Sequence, residues 1–141
     1  TADGITCGQH DGLMYYTIGQ RKGLGIGGGY GSNELPWFVA DKNIKENVLV
    51  VAQGHDHPAL YHSALTVSNF NWISGTPSKK NSLTAKIRYR QNDQNCSIDV
   101  LSKDKIHIKF DEPQFAITPG QFAVLYDNDE CLGGGIIDDR K

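Results

Sequence analysis

Three stretches in the second half of the chain alternate between apolar and polar residues, and this pattern constrains the fold more than any other feature. Residues 83–90, 96–101 and 105–110 each place apolar side chains at every second position. Side chains two apart in an extended strand share one face of the sheet, so each stretch is predicted to be a strand with one buried face. In the last stretch, the residues predicted to point inward are Ile106, Ile108 and Phe110.

Further short strand-like segments surround these three, and no long helical pattern interrupts them. They cover residues 65–67, 70–73, 115–117, 121–126 and 132–137. Short strands at this spacing predict a closed antiparallel β-barrel of six or seven strands over residues 63–141. The polar tail, residues 138–141, is expected to be frayed.

A small central β domain is predicted for residues 1–62, with the boundary near His62. Residues 37–41 and 47–52 are rich in β-branched or aromatic residues and lie between chain breakers, which predicts an antiparallel hairpin. Before them, Asp11 is expected to cap one short helical turn and Gly19 to end it. The predicted fold class is therefore mainly β, with one short helix in the central domain and a barrel after it.

Bulk properties exclude some classes of protein. No apolar run approaches the ~18 residues that span a bilayer, so we expect a soluble, cytoplasmic protein with no membrane partner. The net charge of −2 means that any nucleic-acid role must depend on a local patch. The three cysteines form no CxxC pair; Cys96 and Cys131 lie in strand-like stretches, where burial is usual.

The solvent face of the strand predicted over residues 83–90 carries three cations, Lys86, Arg88 and Arg90. Unpaired cations are not buried, and the planar fork of arginine matches phosphate oxygens. Tyr89 could stack on a base if this part of the strand lies at the open end of the barrel. Any soluble sheet also shows lysine and arginine outward, so the pattern alone leaves open a non-catalytic protein-interaction module.

Three other polar motifs are candidate sites. Gln20, Arg21 and Lys22 lie in a glycine-rich loop that could hold phosphate, although no strand precedes it closely, and a plain connection is favoured. Gln121 follows a Thr-Pro-Gly turn, where an amide could donate to phosphate and accept from a ribose hydroxyl. Residues 55–57, His-Asp-His, could bind a metal as a small metalloenzyme, but the flanking glycine and proline favour a polar turn.

The chain resembles the bacterial tRNA-specific 2-thiouridylase family (MnmA, also called TrmU). Six segments carry the resemblance, in family order and over nearly the whole chain. They are residues 10–29, 36–39, 50–58, 85–91, 112–121 and 131–137.

The resemblance implies the chemistry of an intact enzyme. In this family ATP activates the C2 carbonyl of the wobble uridine, position 34, and a cysteine persulfide then delivers sulfur. The substrates are the tRNAs for lysine, glutamate and glutamine. The SGGxDS-type loop of the family's N-terminal nucleotide-binding domain is not among these 141 residues. The family's two catalytic cysteines lie upstream of the region matched here, and Cys7 matches neither of their motifs.

These 141 residues are therefore predicted to contain no catalytic residue, to bind no cofactor and to be inactive alone. ATP, with Mg, is assigned to the N-terminal domain, which is expected to be a partner together with a persulfide sulfur donor protein. The resemblance implies tRNA contacts at Arg88, Tyr89 and Gln121. The loop residues 20–22 are secondary candidates. The predicted role is to bind tRNA and help enclose the flipped base.

Overall fold

The computed structural model describes residues 1–26, 35–80, 82–88 and 91–141. The chain divides into two compact units, Thr1–Tyr61 and His62–Lys141. Two of the predicted site residues, Tyr89 and Arg90, lie outside the described residues. No helix in the described part of the chain is long and apolar enough to cross a membrane.

The first unit contains the predicted hairpin. Strand β1 (Trp37–Asn43) pairs antiparallel with strand β2 (Val48–Gln53), which confirms the prediction of a small sheet. The buried apolar residues of this unit are Tyr16, Phe38, Val39, Ala40, Val51, Ala52 and Leu60. Leu60 ends a short 3-10 helix, Pro58–Leu60.

The helical turn is a 3-10 helix over Leu13–Tyr15, and the prediction that Asp11 caps it is wrong. Gly12 occupies the N-cap position without a side-chain cap, and its N–H donates to His10 Nδ1 at 3.0 Å. The acceptor near the start of this helix is therefore the imidazole of His10, and the Asp11 carboxylate caps none of its N–H groups. The helix also ends four residues before Gly19, whose φ of +88° belongs to the following turn.

The second unit is the predicted barrel. Its six strands are β3 (Tyr61–Trp72), β4 (Ser82–Lys86), β5 (Gln94–Ser102), β6 (Lys105–Phe115), β7 (Phe122–Asp127) and β8 (Glu130–Arg140). They close in the order β3-β6-β5-β4-β7-β8, which confirms the closed antiparallel barrel. Two pairs of predicted segments join: residues 65–67 and 70–72 lie on β3, and β6 continues from 105 to 115.

The alternation correctly predicts which side chains fill the barrel. Ile106, Ile108 and Phe110 are at most 3% exposed, and Ala85 and Leu125 are fully buried. Strand β4 is shorter than predicted, because it ends at residue 86 and not at residue 90.

The tail is not frayed, so that prediction is wrong. Strand β8 continues to Arg140, which pairs with Leu65 on β3. The N–H of Lys141 donates to Ala64 O at 2.8 Å, and Arg140 Nη1 donates to Ile117 O at 2.7 Å. The tail is polar, but its backbone supplies the hydrogen bonds that join the last strand to the first, and these bonds need no apolar side chain.

Three consecutive glycines in β8 allow β3 and β8 to lie unusually close. The register between these strands shifts between Ser68 and Asn71. A Cβ on Gly135 would lie 2.6 Å from Ser68 O, and one on Gly133 would overlap Asn71 O. Only glycine fits where two backbones approach this closely.

Candidate nucleic-acid interface

Arg88 and Gln121 lie at the same end of the barrel. Strands β4 and β7 are antiparallel, with Thr84 opposite Tyr126 and Lys86 opposite Val124. The chain that leaves β4 and the chain that enters β7 therefore lie side by side. Both Arg88 and Gln121 are exposed.

Two aromatic residues flank this pair. The Arg88 guanidinium lies over the ring of Phe115 at the end of β6, with Cζ 4.9 Å from the ring centroid. Phe122 follows Gln121 and is 65% exposed. We call the surface formed by Arg88, Phe115, Gln121 and Phe122 the rim. It combines a guanidinium, an amide and an exposed aromatic ring, groups that contact phosphate, ribose and base in RNA.

The turn before β7 fixes the backbone of Gln121. The N–H of Gly120, at φ +91°, donates to Ile137 O at 2.8 Å. The N–H of Ile137 in turn donates to Gln121 O at 2.8 Å, and the N–H of Gln121 donates to Thr118 O at 3.2 Å. The Thr-Pro-Gly turn is therefore tied to β8 and presents the exposed side chain of Gln121 from a fixed backbone.

Of the predicted row of three cations, only Lys86 lies on strand β4, and Arg90 is outside the described residues. Strand β4 ends at Lys86, so Arg88 lies beyond it. Lys86 Nζ is 3.3 Å from Asp93 Oδ1 and 5.3 Å from the ring centroid of Tyr126. Because the aspartate offsets its charge, Lys86 contributes less net positive charge than an unpaired lysine would. Nothing in the sequence pattern indicated this pair.

Two rim residues, Phe115 and Phe122, were not among the predicted site residues, and for Phe122 a signal was available. The alternation already contained the signal, because Ala123 and Leu125 are buried and the residue before Ala123 must then face outward. An apolar aromatic on the outer face, next to a polar candidate, is the combination that could have identified it.

The described part of the glycine-rich loop, residues 19–26, is hydrogen-bonded to β1. The N–H of Gly19 donates to Val39 O at 2.7 Å, and the N–H of Val39 donates to Gln20 O at 2.9 Å. No helix begins within residues 19–26, so this part of the loop offers no helix N-terminus to a phosphate. These two hydrogen bonds hold Gly19 and Gln20 against Val39 on β1.

Gln20 is occupied within this loop, whereas its two neighbours are exposed. Its Oε1 accepts from the N–H of Thr17 at 2.9 Å, and its Nε2 donates to Lys22 O at 2.8 Å. Arg21 and Lys22 are both exposed. Gln20 therefore holds the loop in shape, and the two cations remain the candidates for contact with an anionic partner.

The two histidines of the His-Asp-His turn make hydrogen bonds with residues close to them in the chain. His57 Nδ1 accepts from the N–H of Ala59 at 3.0 Å and so caps the 3-10 helix Pro58–Leu60. His55 Nδ1 is 3.2 Å from the hydroxyl of Tyr61 and 3.9 Å from Asp56 Oδ1. The described residues contain no group of three or more His, Cys, Asp or Glu placed to hold a metal ion.

The three cysteines differ in environment. Cys96 is buried as expected, and burial, assisted by the negative charge of Asp111, raises the pKa of its thiol to about 12. Cys131 is exposed, so the expectation of burial is wrong there. It lies near the start of β8, opposite Tyr126 and close to the turn between β7 and β8. Cys7 is half-buried.

We expect native protein to react with a disulfide reagent first at Cys131, and at Cys96 only after unfolding. The reactive species is the thiolate, which burial and the raised pKa suppress at Cys96 at neutral pH. The thiolate that the reagent releases, measured with and without guanidinium chloride as denaturant, counts the reacting cysteines. Cys131→Ser should remove the fast phase of the reaction. Rapid modification of Cys96 in the folded chain would contradict the buried barrel position.

Comparison with known proteins defines the class first. Residues 62–137 match the family model described as the aminomethyltransferase beta-barrel domain, and residues 1–53 match the tRNA methyl transferase PRC-barrel domain. The first match covers more than half of the chain and coincides with the six-stranded barrel.

Curated relatives then identify the family. The chain is 55% identical over 136 residues to a tRNA-specific 2-thiouridylase MnmA of Francisella philomiragia, with 96% of this chain and 38% of the relative covered. It is 51% identical over 141 residues to that of Methylococcus capsulatus, with 98% of this chain and 38% of the relative covered. The chain belongs to the tRNA-specific 2-thiouridylase family, and the resemblance seen in the sequence is confirmed. It spans about 38% of the length of these relatives.

Proposed function

We propose that this chain is the tRNA-binding portion of a tRNA-specific 2-thiouridylase and that the rim contacts the tRNA. The single observation that carries the proposal is the placement of Arg88 and Gln121, both exposed, at the same end of the barrel. A guanidinium held over an aromatic ring can bind a phosphate through two parallel hydrogen bonds. Phe122 offers an exposed ring for stacking beside it.

The chemistry of the whole enzyme is part of this proposal. The intact protein would thiolate C2 of the wobble uridine at position 34 in the tRNAs for lysine, glutamate and glutamine, in the cytoplasm. ATP with Mg would be bound by an N-terminal nucleotide-binding domain, and a persulfide sulfur donor protein would supply sulfur. The role of the present residues is to hold the tRNA while the target base is enclosed. Arg21 and Lys22, exposed in the first unit, are secondary candidates for the same tRNA.

Binding to tRNA and its dependence on salt test the proposal. Phosphate contacts release counterions, so we expect affinity for a glutamate tRNA transcript to fall steeply between about 50 and about 200 mM salt. Fluorescence anisotropy of labelled tRNA measures this. A protein-interaction module, the alternative function, would give no specific tRNA binding. Absence of binding at about 50 mM salt would therefore contradict the proposal.

A second test concerns catalysis. We expect the 141-residue chain, given tRNA, ATP and a persulfide donor, to form no 2-thiouridine above background, because the SGGxDS-type loop is not among its residues. Nucleoside analysis of the tRNA by mass spectrometry measures the product. A full-length relative serves as the positive control, and turnover by the chain alone would show that the division of roles is wrong.

A further inference from the structure

Gln114 is an unusual residue in the barrel. Among the buried residues that the structure describes, it is the only polar or charged one, with 6% of its surface exposed. Burying an amide costs free energy unless its hydrogen-bonding groups find partners. The surroundings of Gln114 therefore indicate what the amide is held for.

The partners of Gln114 lie on two parts of the chain: Gln91 and Gln94, at the entry to β5, and Glu112, on β6 itself. Its Oε1 accepts from Gln91 Nε2 at 2.9 Å. Its Nε2 donates to Gln94 Oε1 at 3.3 Å and to the carbonyl of Glu112 at 3.0 Å. The amide thus links the end of β6 to the start of β5 and to the segment that leaves β4.

Gln91 in turn makes hydrogen bonds with the backbone of Ile87 and Arg88. Its Oε1 accepts from the N–H of Ile87 at 3.0 Å, and its own N–H donates to Arg88 O at 3.4 Å. The N–H of Ile87 and the carbonyl of Arg88 are therefore both tied to Gln91, and Gln91 is tied to the buried amide of Gln114.

Gln114 also lies next to the aromatic residue that the Arg88 side chain contacts. Phe115, whose ring lies under the Arg88 guanidinium, is the next residue in the chain. One buried amide therefore fixes both the backbone that carries the guanidinium and the strand end that carries the ring.

We propose that Gln114 is a positioning residue that holds Arg88 in place to bind a nucleic-acid phosphate. This inference rests on the proposed function of the rim. It assigns Gln114 no contact with RNA, since its amide acts through Gln91 and through Phe115.

The test is a double-mutant cycle of Gln114→Met with Arg88→Ala, read by tRNA anisotropy. Methionine keeps the length of the side chain and removes its amide. We expect Gln114→Met to weaken tRNA binding about three- to tenfold when Arg88 is present, and less than about twofold in the Arg88→Ala background. Equal weakening in both backgrounds would mean a general structural role and would overturn the inference.

A readout without RNA separates this inference from the proposed function. In Gln114→Met, the amide of Ile87 is expected to exchange with solvent about tenfold faster or more, while the amide of Leu125 in the core stays within about twofold. Unchanged exchange at Ile87 would overturn the inference even if the chain binds tRNA. If wild-type chain binds no tRNA, the proposed function fails, whatever the exchange shows.

Gln91→Ala provides a second variant in case Gln114→Met unfolds. Gln91 is only half-buried, so its truncation leaves the barrel core intact. The same coupling to Arg88 and the same faster exchange at Ile87 are expected. Additive effects of Gln91→Ala and Arg88→Ala on tRNA affinity would overturn the inference.

Discussion

Replacing Arg88 by alanine is expected to weaken tRNA binding about tenfold or more, because a charge-assisted contact with phosphate is lost. The slope of log Kd against log salt should fall by about 1, as for the loss of one phosphate contact. Arg88→Lys should retain part of the affinity, since it keeps the charge but not the two-pronged geometry. Anisotropy titrations at several salt concentrations measure both quantities.

The matched control for this prediction is Lys103→Ala. Lys103 is an exposed cation in the turn between β5 and β6, at the opposite end of the barrel from Arg88. Removing it changes the net charge by the same amount, so its effect measures the long-range electrostatic contribution alone. Equal losses in the two variants would mean that general charge, not the rim, attracts the tRNA.

The second large effect concerns the barrel itself. Gly135→Ala is expected to lower the free energy of unfolding by about 3 kcal/mol or more, because the new Cβ would lie against backbone that cannot move independently. The contacts are Ser68 O and the Cγ1 of Val67, both at 2.6 Å. Urea unfolding followed by Trp72 fluorescence, in a Trp37→Phe background, reports on the barrel.

Gly75→Ala is the control for that substitution. Gly75 lies in a loop at φ +84°, and a Cβ there would meet nothing within 4 Å. It carries only the cost of a left-handed backbone for alanine, about 1 kcal/mol. If Gly135→Ala were no more destabilising than Gly75→Ala, the close approach of β3 and β8 would be wrong.

The features that follow a period of two residues could be predicted from the sequence. Ile106, Ile108 and Phe110 point inward because neighbouring side chains in a strand must face opposite ways, and this local rule needs no knowledge of the partner strand. The same rule, applied to residues 121–126, would have placed Phe122 outside.

The features that depend on partners distant in sequence could not be predicted. The alternation continues past Lys86, but β4 ends there, and Asp93 is brought to the lysine only by the following strand. The amides of Gln91 and Gln114 are 23 residues apart and meet only in the closed barrel. The polar side chains of the tail predict fraying, whereas its backbone pairing with β3 keeps it in place.

The most direct test of the central claim is to map tRNA onto the chain by backbone amide chemical shifts. We predict that the largest changes cluster at the rim, at residues 87–88, 115 and 121–122. The turns at 103–104 and 128–129, at the opposite end of the barrel, should change little. Changes concentrated at those two turns, with the rim unaffected, would contradict the account.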